Sequence, residues 1–196
     1  MSLSCDTLSQ GNSELSQYSN PSDDDRFLYK AYVKSITEIF SLTSIEERTC
    51  VNVGTTTMFV VGRQGWYYDG CTKCIKKADV KDDPFICKYK LDIKVNHQHD
   101  CGRFVFWDRQ CADIISISAS DLKNQMLVEG EDDPKAFPLL LDELLARTMV
   151  LRVKVQPSYN QSSIIRLSED PNLIKKVLDQ IGVFESGSMT ADHDPE

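Results

Sequence analysis

The most specific chemical signal in the sequence is the motif CTKC, in which Cys71 and Cys74 follow an Asp-Gly turn. Two thiolates at this spacing form a knuckle that supplies half of a tetrahedral zinc site. Cys87 comes 13 residues after Cys74, a spacing typical of the start of a second knuckle. The sequence therefore predicts a zinc-binding site with Cys71, Cys74 and Cys87 as metal ligands.

The fourth ligand of this site is not defined, because a second knuckle requires a cysteine at position 90 and the chain has Lys90 there. The spacing does not select among His97, His99, Cys101 and an aspartate. Two other interpretations of the CTKC pair stay open, a remnant of a lost site and thiols that simply pack. A redox pair is disfavoured because the motif lies between predicted strands and does not open a helix. The odd total of seven cysteines argues against a disulfide framework.

No constellation of catalytic residues is present in the sequence. The chain has three histidines, and no serine or cysteine lies in a nucleophile motif. There is also no glycine-rich phosphate loop. The acids of the EGEDDP segment, Glu129 to Asp133, suggest a divalent-metal nuclease site, but consecutive acids before a proline are typical of a solvated loop. We therefore expect a binding protein and not an enzyme.

The net charge of −8 argues against an acidic partner until it is divided by position. Residues 1–29 hold five acids and one base, residues 30–123 hold 12 acids and 14 bases, and residues 124–196 hold 13 acids and seven bases. The three parts therefore contribute −4, +2 and −6. The middle of the chain is mildly basic, which allows a nucleic-acid partner that is bound weakly.

Short segments with alternating apolar residues predict a mainly β fold. The HQHDCG segment is expected to be a hairpin connection, and Gly54 a bulge or kink. About five short antiparallel strands are enough for a small barrel but too few for a sandwich. The predicted strands are Thr49–Val61, Tyr89–Val95, Arg103–Trp107, Val150–Val155 and Ser163–Leu167.

Helical periodicity predicts four helices around the strands. They are SITEIFSL, Cys111–Met126, Pro138–Arg147 and a final helix over 170–184. Asp170 can cap the final helix, and Leu173, Val177 and Ile181 contribute to an apolar stripe along it, together with Ile174 and Leu178. Residues 1–29 and 185–196 are polar and acidic, so we expect both to be disordered.

Four segments in this order resemble the C-terminal DNA-binding domain of the replication protein A large subunit, especially its divergent plant and transposon-associated relatives. They are GWYYDGCTKC, the YKLDIKV strand after Cys87, GRFVFWDRQCADIISISASDL, and ELLARTMVLRVKVQPSYN. The similarity covers about residues 30–170. One departure is that Cys87 runs directly into Lys88 and Tyr89, so that the second knuckle is shortened.

The resemblance implies a single OB-fold barrel over 30–169 with flanking helices, a zinc ribbon inserted near 66–90, and single-stranded DNA laid across the barrel face. It places stacking aromatics at Trp107 and Tyr159. A core aromatic is the other interpretation of Trp107. Alternation in RFVFW favours exposure, because Trp107 shares a strand face with Arg103, opposite Phe104 and Phe106. Trp66, Tyr67 and Tyr68 are expected to pack against the barrel rim.

Basic residues are expected to line the path of the nucleic acid. Lys88 and Lys90 share one face of their strand, and Arg152 and Lys154 share one face of another. A solvated strand face is an equally good interpretation of the second pair. With Arg103, these four cations complete the predicted phosphate contacts.

The resemblance also implies a nuclear protein that acts in DNA replication, repair or recombination. In the family, a helix after the barrel joins smaller subunits, and the apolar stripe of the 170–184 helix resembles such a docking face. The alternative function is therefore a protein-interaction module that has kept the barrel and lost most of its DNA affinity.

Overall fold

The computed structural model describes residues 23–43, 46–63, 65–71, 85–133 and 135–187. Its seven strands are β1 (Tyr32–Val33), β2 (Arg48–Phe59), β3 (Tyr67–Cys71), β4 (Phe85–His97), β5 (Asp100–Trp107), β6 (Thr148–Gln156) and β7 (Gln161–Ser168). Its five α-helices are α1 (Asp23–Leu28), α2 (Ile36–Phe40), α3 (Asp108–Ile115), α4 (Ala119–Val128) and α5 (Pro171–Gly187). Two short 3₁₀ helices, Leu139–Leu144 and Pro157–Tyr159, flank β6.

Five of the strands form a closed ring. The sheet order β2-β6-β7-β5-β4 is closed by pairing between β2 and β4. All strand pairings in the ring are antiparallel except the pairing of β5 with β7, which is parallel. β1 and β3 extend the sheet beside β2 and β4. This is the arrangement of a small OB-like barrel, as expected from the sequence.

The inside of the ring is filled by the alternate residues of its strands. Tyr89 and Leu91 on β4 and Phe104 and Phe106 on β5 are each no more than 1% exposed. Trp66 is fully buried and lies 5.7 Å from the Tyr89 ring, so it packs as expected. Because the pleat sends neighbouring side chains to opposite faces, burying this set turns Lys90, Arg103 and Trp107 outward.

Gly54 has a different role from the predicted bulge. A Cβ atom at Gly54 would lie 2.3 Å from Cγ1 of Val95 on β4, so the glycine allows the two strands to approach closely. The register irregularity of β2 lies later, between Thr56 and Met58.

The predicted helix over Cys111–Met126 is wrong, because the structure has two helices there. α3 ends at Ile115 and its C-cap, Ser116, has a left-handed φ of 62°. α4 begins after Ser118, whose hydroxyl accepts a hydrogen bond from the Asp121 amide. A serine N-cap and a left-handed C-cap stop the helical pattern locally. The predicted Pro138–Arg147 helix is the shorter 3₁₀ helix Leu139–Leu144.

The two ends of the described chain pack together on the outside of β2 and β6. Phe27 of α1 is 3% exposed, so the disorder predicted for residues 1–29 is wrong for α1, while residues 1–22 lie outside the described part. Phe27 packs with Val51 and Val53 of β2 and with Leu173 and Val177 of α5. The apolar stripe of α5 therefore faces this chain's own barrel.

The predicted ribbon region is described only at its two arms. Residues 67–71 pair with residues 85–89, and residues 72–84 lie outside the described part. α5 continues to Gly187, three residues past the predicted boundary of 184, and residues 188–196 lie outside the described part. Among the described residues, no helix is long and apolar enough to cross a membrane.

Candidate nucleic-acid interface

Strands β4 and β5 bring several of the predicted contact residues onto one outer face. Lys90 is the cross-strand partner of Trp107, and Arg103 is the partner of Lys94 further along the same two strands. Trp107 is half-buried, and its ring meets the Tyr68 ring edge-on at 6.0 Å. The Lys90 ammonium lies 5.6 Å from the centre of the Trp107 ring, within range of a cation–π contact. An aromatic face and a cation therefore lie together at this point.

Tyr159 reaches the same face from the turn between β6 and β7. It ends the 3₁₀ helix Pro157–Tyr159, and the next residue, Asn160, has a left-handed φ of 48° that returns the chain into β7. Its side chain is 76% exposed. A concavity of about 100 Å³ is lined by Tyr159 together with Lys90 and Arg103. Lys90 also contacts Trp107, which joins Trp107 to these three residues. The structure thus brings together four of the seven residues predicted to contact nucleic acid.

A larger concavity of about 420 Å³ is lined by Trp107 itself. Lys88, predicted as an exposed contact, also lines it but is only 9% exposed, because its side chain crosses Gly70, where a Cβ atom would lie 2.7 Å from Lys88 Cδ. The remaining lining residues were not predicted as contacts. They are Tyr68 of β3, Asp108, Arg109 and Gln110 at the start of α3, and Ile164 and Ile165 of β7.

Charges around the two concavities are mixed, with a small positive excess. Lys88, Lys90, Arg103 and Arg109 are the cations, and Asp92 and Asp108 the carboxylates. Arg103 lies 3.8 Å from Asp92, and Asp108 accepts a hydrogen bond from the Tyr89 amide at 3.0 Å. Burial raises the pKa of the Tyr68 hydroxyl, and the Asp108 carboxylate adds to the rise, so the phenol stays neutral. The interface therefore suits a polyanion held mainly by stacking.

The two predicted cations of β6 are engaged elsewhere in the chain. The Arg152 guanidinium donates to the carbonyl oxygens of Phe27 and, at 2.8 Å, of Tyr29. Burial lowers the pKa of Arg152, and neighbouring Arg166 lowers it further. The Lys154 ammonium lies 2.7 Å from a Glu47 carboxylate oxygen. Both charges are paired within the chain, and neither side chain lines the two concavities.

The predicted zinc ligands are only partly described. Cys71 and Cys87 lie on the paired strands β3 and β4. The cross-strand partner of Cys87 is Asp69, two residues before Cys71. Cys74 lies outside the described part. Cys87 Sγ lies 3.6 Å from Asp69 Oδ1 and 3.5 Å from Lys123 Nζ. Among the described residues, no group of three metal-ligating side chains is assembled. The described residues alone therefore do not form a tetrahedral zinc site.

Three of the alternatives for a fourth ligand, His97, His99 and Cys101, lie at the far end of β4, whereas the aspartate alternative has a candidate in Asp69 beside Cys87. His97 is the last residue of β4, ten positions after Cys87, and a strand rises about 3.3 Å per residue, which separates them by roughly 30 Å of strand. His99 is in the adjoining turn, and Cys101 pairs with Asn96 near the same end. None of the three can share an ion with Cys87, and zinc binding stays a prediction that depends on Cys74.

Comparison with known proteins finds similarity at the level of the fold. No protein-family profile matches the chain. No curated protein matches it either. A chain from the structure of a replication protein A heterotrimer bound to single-stranded DNA superposes with a TM-score of 0.52 at 15% identity, over 73% of this chain and 36% of that chain. A yeast replication protein A structure bound to single-stranded DNA gives a TM-score of 0.49 at 13% identity, over 80% of this chain and 98% of that chain. This chain spans about a third of the heterotrimer chain with which it superposes, and it has an OB-like fold similar to that found in replication protein A.

Proposed function

We propose that this chain is a single-stranded DNA-binding module that binds the strand across the outer face of β4 and β5 and acts without catalysis. The observation that carries the proposal is the meeting of Trp107, Lys90, Arg103 and Tyr159 on that face. They come from two paired strands and from the turn between β6 and β7. In OB-folds generally, the second and third barrel strands and the loop between the fourth and fifth bind oligonucleotides.

The chemistry of these residues favours binding without dependence on base sequence over most of the strand. Aromatic rings accept any base by stacking, which is worth about 1–3 kcal/mol per base. Trp107 and the exposed Tyr159 provide two such rings. Lys90 and Arg103 lie beside them and can contact phosphates on either side of a stacked base.

The proposed setting is DNA replication, repair or recombination, as the family resemblance implies. The charge supports a modest affinity of the isolated chain for DNA. The chain carries −8 overall, and the interface has carboxylates among its cations. Linked modules gain affinity through effective concentration. We therefore expect the chain to act together with other binding modules.

The proposal is tested by fluorescence anisotropy with a labelled oligo-dT at low salt. The wild type should bind, and the double variant Trp107→Ala with Tyr159→Ala should bind at least about tenfold more weakly, since two stacking contacts are lost. Tyr32→Ala is a matched control, because Tyr32 is 60% exposed on β1, away from the interface. No binding by the wild type would refute the function, and an equal loss in the control would refute the assignment of the site.

A further inference from the structure

The seam between β5 and β7 is open on the side of α3. The two strands are paired at Val105 and Ser163, and past this pair β5 leads into α3 while β7 continues as a strand. A side chain of α3 takes the place of a neighbouring strand there, because Gln110 Nε2 donates to the Ile165 carbonyl oxygen at 3.2 Å. The start of α3 and the second half of β7 therefore form the two sides of a surface trough.

A third concavity, of about 410 Å³, extends this trough past the concavity beside Trp107. The two share Arg109, Gln110 and Ile165 in their walls. Together with the concavity at Tyr159, they follow β7 in order, at residues 161–162, 164–165 and 165–167. At about 3.3 Å per residue, this part of β7 is roughly 20 Å long. The candidate interface therefore continues along β7 beyond Trp107.

A β-bulge on β7 turns two consecutive side chains toward the solvent in the third concavity. Arg152 of β6 pairs with Arg166, and the next pair is Val153 with Ile164. Ile165 is therefore an extra residue on β7. Simple alternation after the buried Ile164 would turn Ile165 outward and Arg166 into the barrel, whereas with the bulge both are exposed. The bulge thus places an apolar side chain and a cation next to each other in this concavity.

The charges of the third concavity favour an anion. The guanidinium carbon of Arg166 lies 5.4 Å from the centre of the Phe27 ring, a contact that does not neutralise its charge. Its cross-strand neighbour Arg152 is a second cation, and the hydrogen bonds of Arg152 go to neutral carbonyl oxygens. Arg109 lies 3.8 Å from Asp113, but these side chains are 88% and 68% exposed, and such a surface pair is weak. An anion in this concavity can therefore bind Arg109 and Arg166 together.

We propose that the third concavity continues the path of single-stranded DNA and that Arg109 and Arg166 hold phosphates of the strand there. The proposal rests on the single-stranded DNA binding proposed above and adds a binding site for the part of the strand beyond Trp107. The strand runs from Tyr159 past Trp107 and over Ile165, along β7. Because phosphates and not bases meet the two arginines, this site adds affinity without sequence preference.

The length of the strand decides whether this site is used. A short strand fills the first two concavities, where the aromatic rings lie, and its salt dependence is that of the cations in those two concavities. A longer strand also reaches Arg166, and this phosphate contact comes in addition. The effect of Arg166 on affinity should therefore grow with the length of the oligonucleotide.

The test measures binding of labelled oligo-dT of about 4 to 16 nucleotides, the range of site sizes of single OB-folds, by fluorescence anisotropy at about 50 mM salt. Arg166→Gln should weaken binding of the longest oligonucleotide about fivefold and leave binding of the shortest unchanged, since one phosphate contact is lost. Lys175→Gln removes the same charge from the exposed side of α5 and should change neither. No loss with the longest oligonucleotide, or an equal loss with both, would overturn the proposal.

A second variant separates the charge of Arg166 from its packing. Arg166→Lys keeps the charge and loses the planar contact with Phe27, so it should bind the longest oligonucleotide nearly as well as the wild type. A loss as large as that of Arg166→Gln would contradict a phosphate contact. Absence of binding by the wild type at every length would instead refute the proposed function. Calorimetry with inorganic phosphate separates a strand from a free anion: we expect no saturable binding, and binding that Arg166→Gln abolishes would overturn the assignment to a strand.

Discussion

Trp107 already has neighbours on its ring before any base arrives. The Lys90 ammonium lies over it at 5.6 Å, and Tyr68 meets it edge-on. A base that stacks on Trp107 must share or displace the Lys90 contact, which sends the ammonium toward the phosphates. Under the proposed function, a displaced Lys90 is then free to contact a phosphate beside the stacked base.

The cysteines provide a test of burial at single residues. Burial raises the pKa of Cys50 and of Cys111, which are 1% and 0% exposed. Burial also raises the pKa of the half-buried Cys87, and Lys123 opposes the rise. A higher pKa leaves less thiolate at a given pH, and the thiolate is the form that reacts. With iodoacetamide at neutral pH, we expect Cys101, which is exposed, to react first, Cys87 more slowly, and Cys50 and Cys111 last.

Peptide mass spectrometry over a time course measures these rates. All four thiols should react alike in denaturant, which controls for intrinsic reactivity. Labelling of Cys111 as fast as Cys101 in the folded protein would contradict the buried core. A chelator that accelerates the labelling of Cys87 would support the zinc prediction, since a bound metal protects its ligands.

At the scale of elements, α5 is part of the barrel's outer layer. Leu173 and Val177 are at most 2% exposed and pack on Val51, Val53 and Val150. The same stripe was expected to join partner subunits. An amphipathic helix that follows a barrel can face either its own chain or another, and the sequence pattern is identical in the two cases.

Truncating this stripe should destabilise the isolated chain. We expect Leu173→Ala to lower the free energy of unfolding by about 2–5 kcal/mol, because it leaves a cavity between α5 and β2. Urea denaturation followed by tryptophan fluorescence measures the change, since Trp66 is fully buried. Lys175→Ala is the control, as Lys175 is an exposed residue of the same helix. Equal stabilities of the two variants would show that α5 does not pack on the barrel in solution.

At the scale of the whole molecule, charge limits the affinity for a polyanion. Four cations line the two concavities, and each phosphate contact to a single strand contributes about −0.7 to the slope of log K against log salt. The slope should therefore be no steeper than about −2.8. Titrations of oligo-dT at several salt concentrations measure it.

Two variants identify the cations that contribute to this slope. Lys90→Met should make it shallower by about 0.7, and Lys154→Met should leave it unchanged, because Lys154 is paired with Glu47 outside the concavities. A slope much steeper than the limit would mean that further cations take part.

The sequence predicts the barrel and the outward-facing residues of β4 and β5, for a physical reason. Alternation in β4 and β5 depends on neighbouring residues alone, so the outward direction of Lys90, Arg103 and Trp107 follows from the pleat. Contacts between distant segments of the chain do not follow from this local alternation. Arg152 lies on the predicted strand, yet its partners are carbonyl oxygens 123 and 125 residues earlier in the chain.

The pocket beside Trp107 was missed for the same reason. Its walls come from β3, the start of α3 and β7, and no local pattern connects Tyr68, Gln110 and Ile164. The break between α3 and α4 was missed because a serine in the left-handed region is uncommon, and Ser116 interrupts an otherwise helical pattern.

The packing of α1 against α5 has a practical consequence for measurements on an immobilised protein. Lys176 Nζ lies 3.7 Å from Asp25 Oδ1, and both helices lie on the outer side of β2 and β6, whereas β4, β5 and the turn at Tyr159 form the other outer face. A coupling site on the exposed side of α5, such as Lys175 or Asp179, therefore lies away from the candidate interface. A sensor surface coupled at position 175 should leave Trp107 and Tyr159 accessible, and moving the coupling to position 179 should give the same dissociation rate.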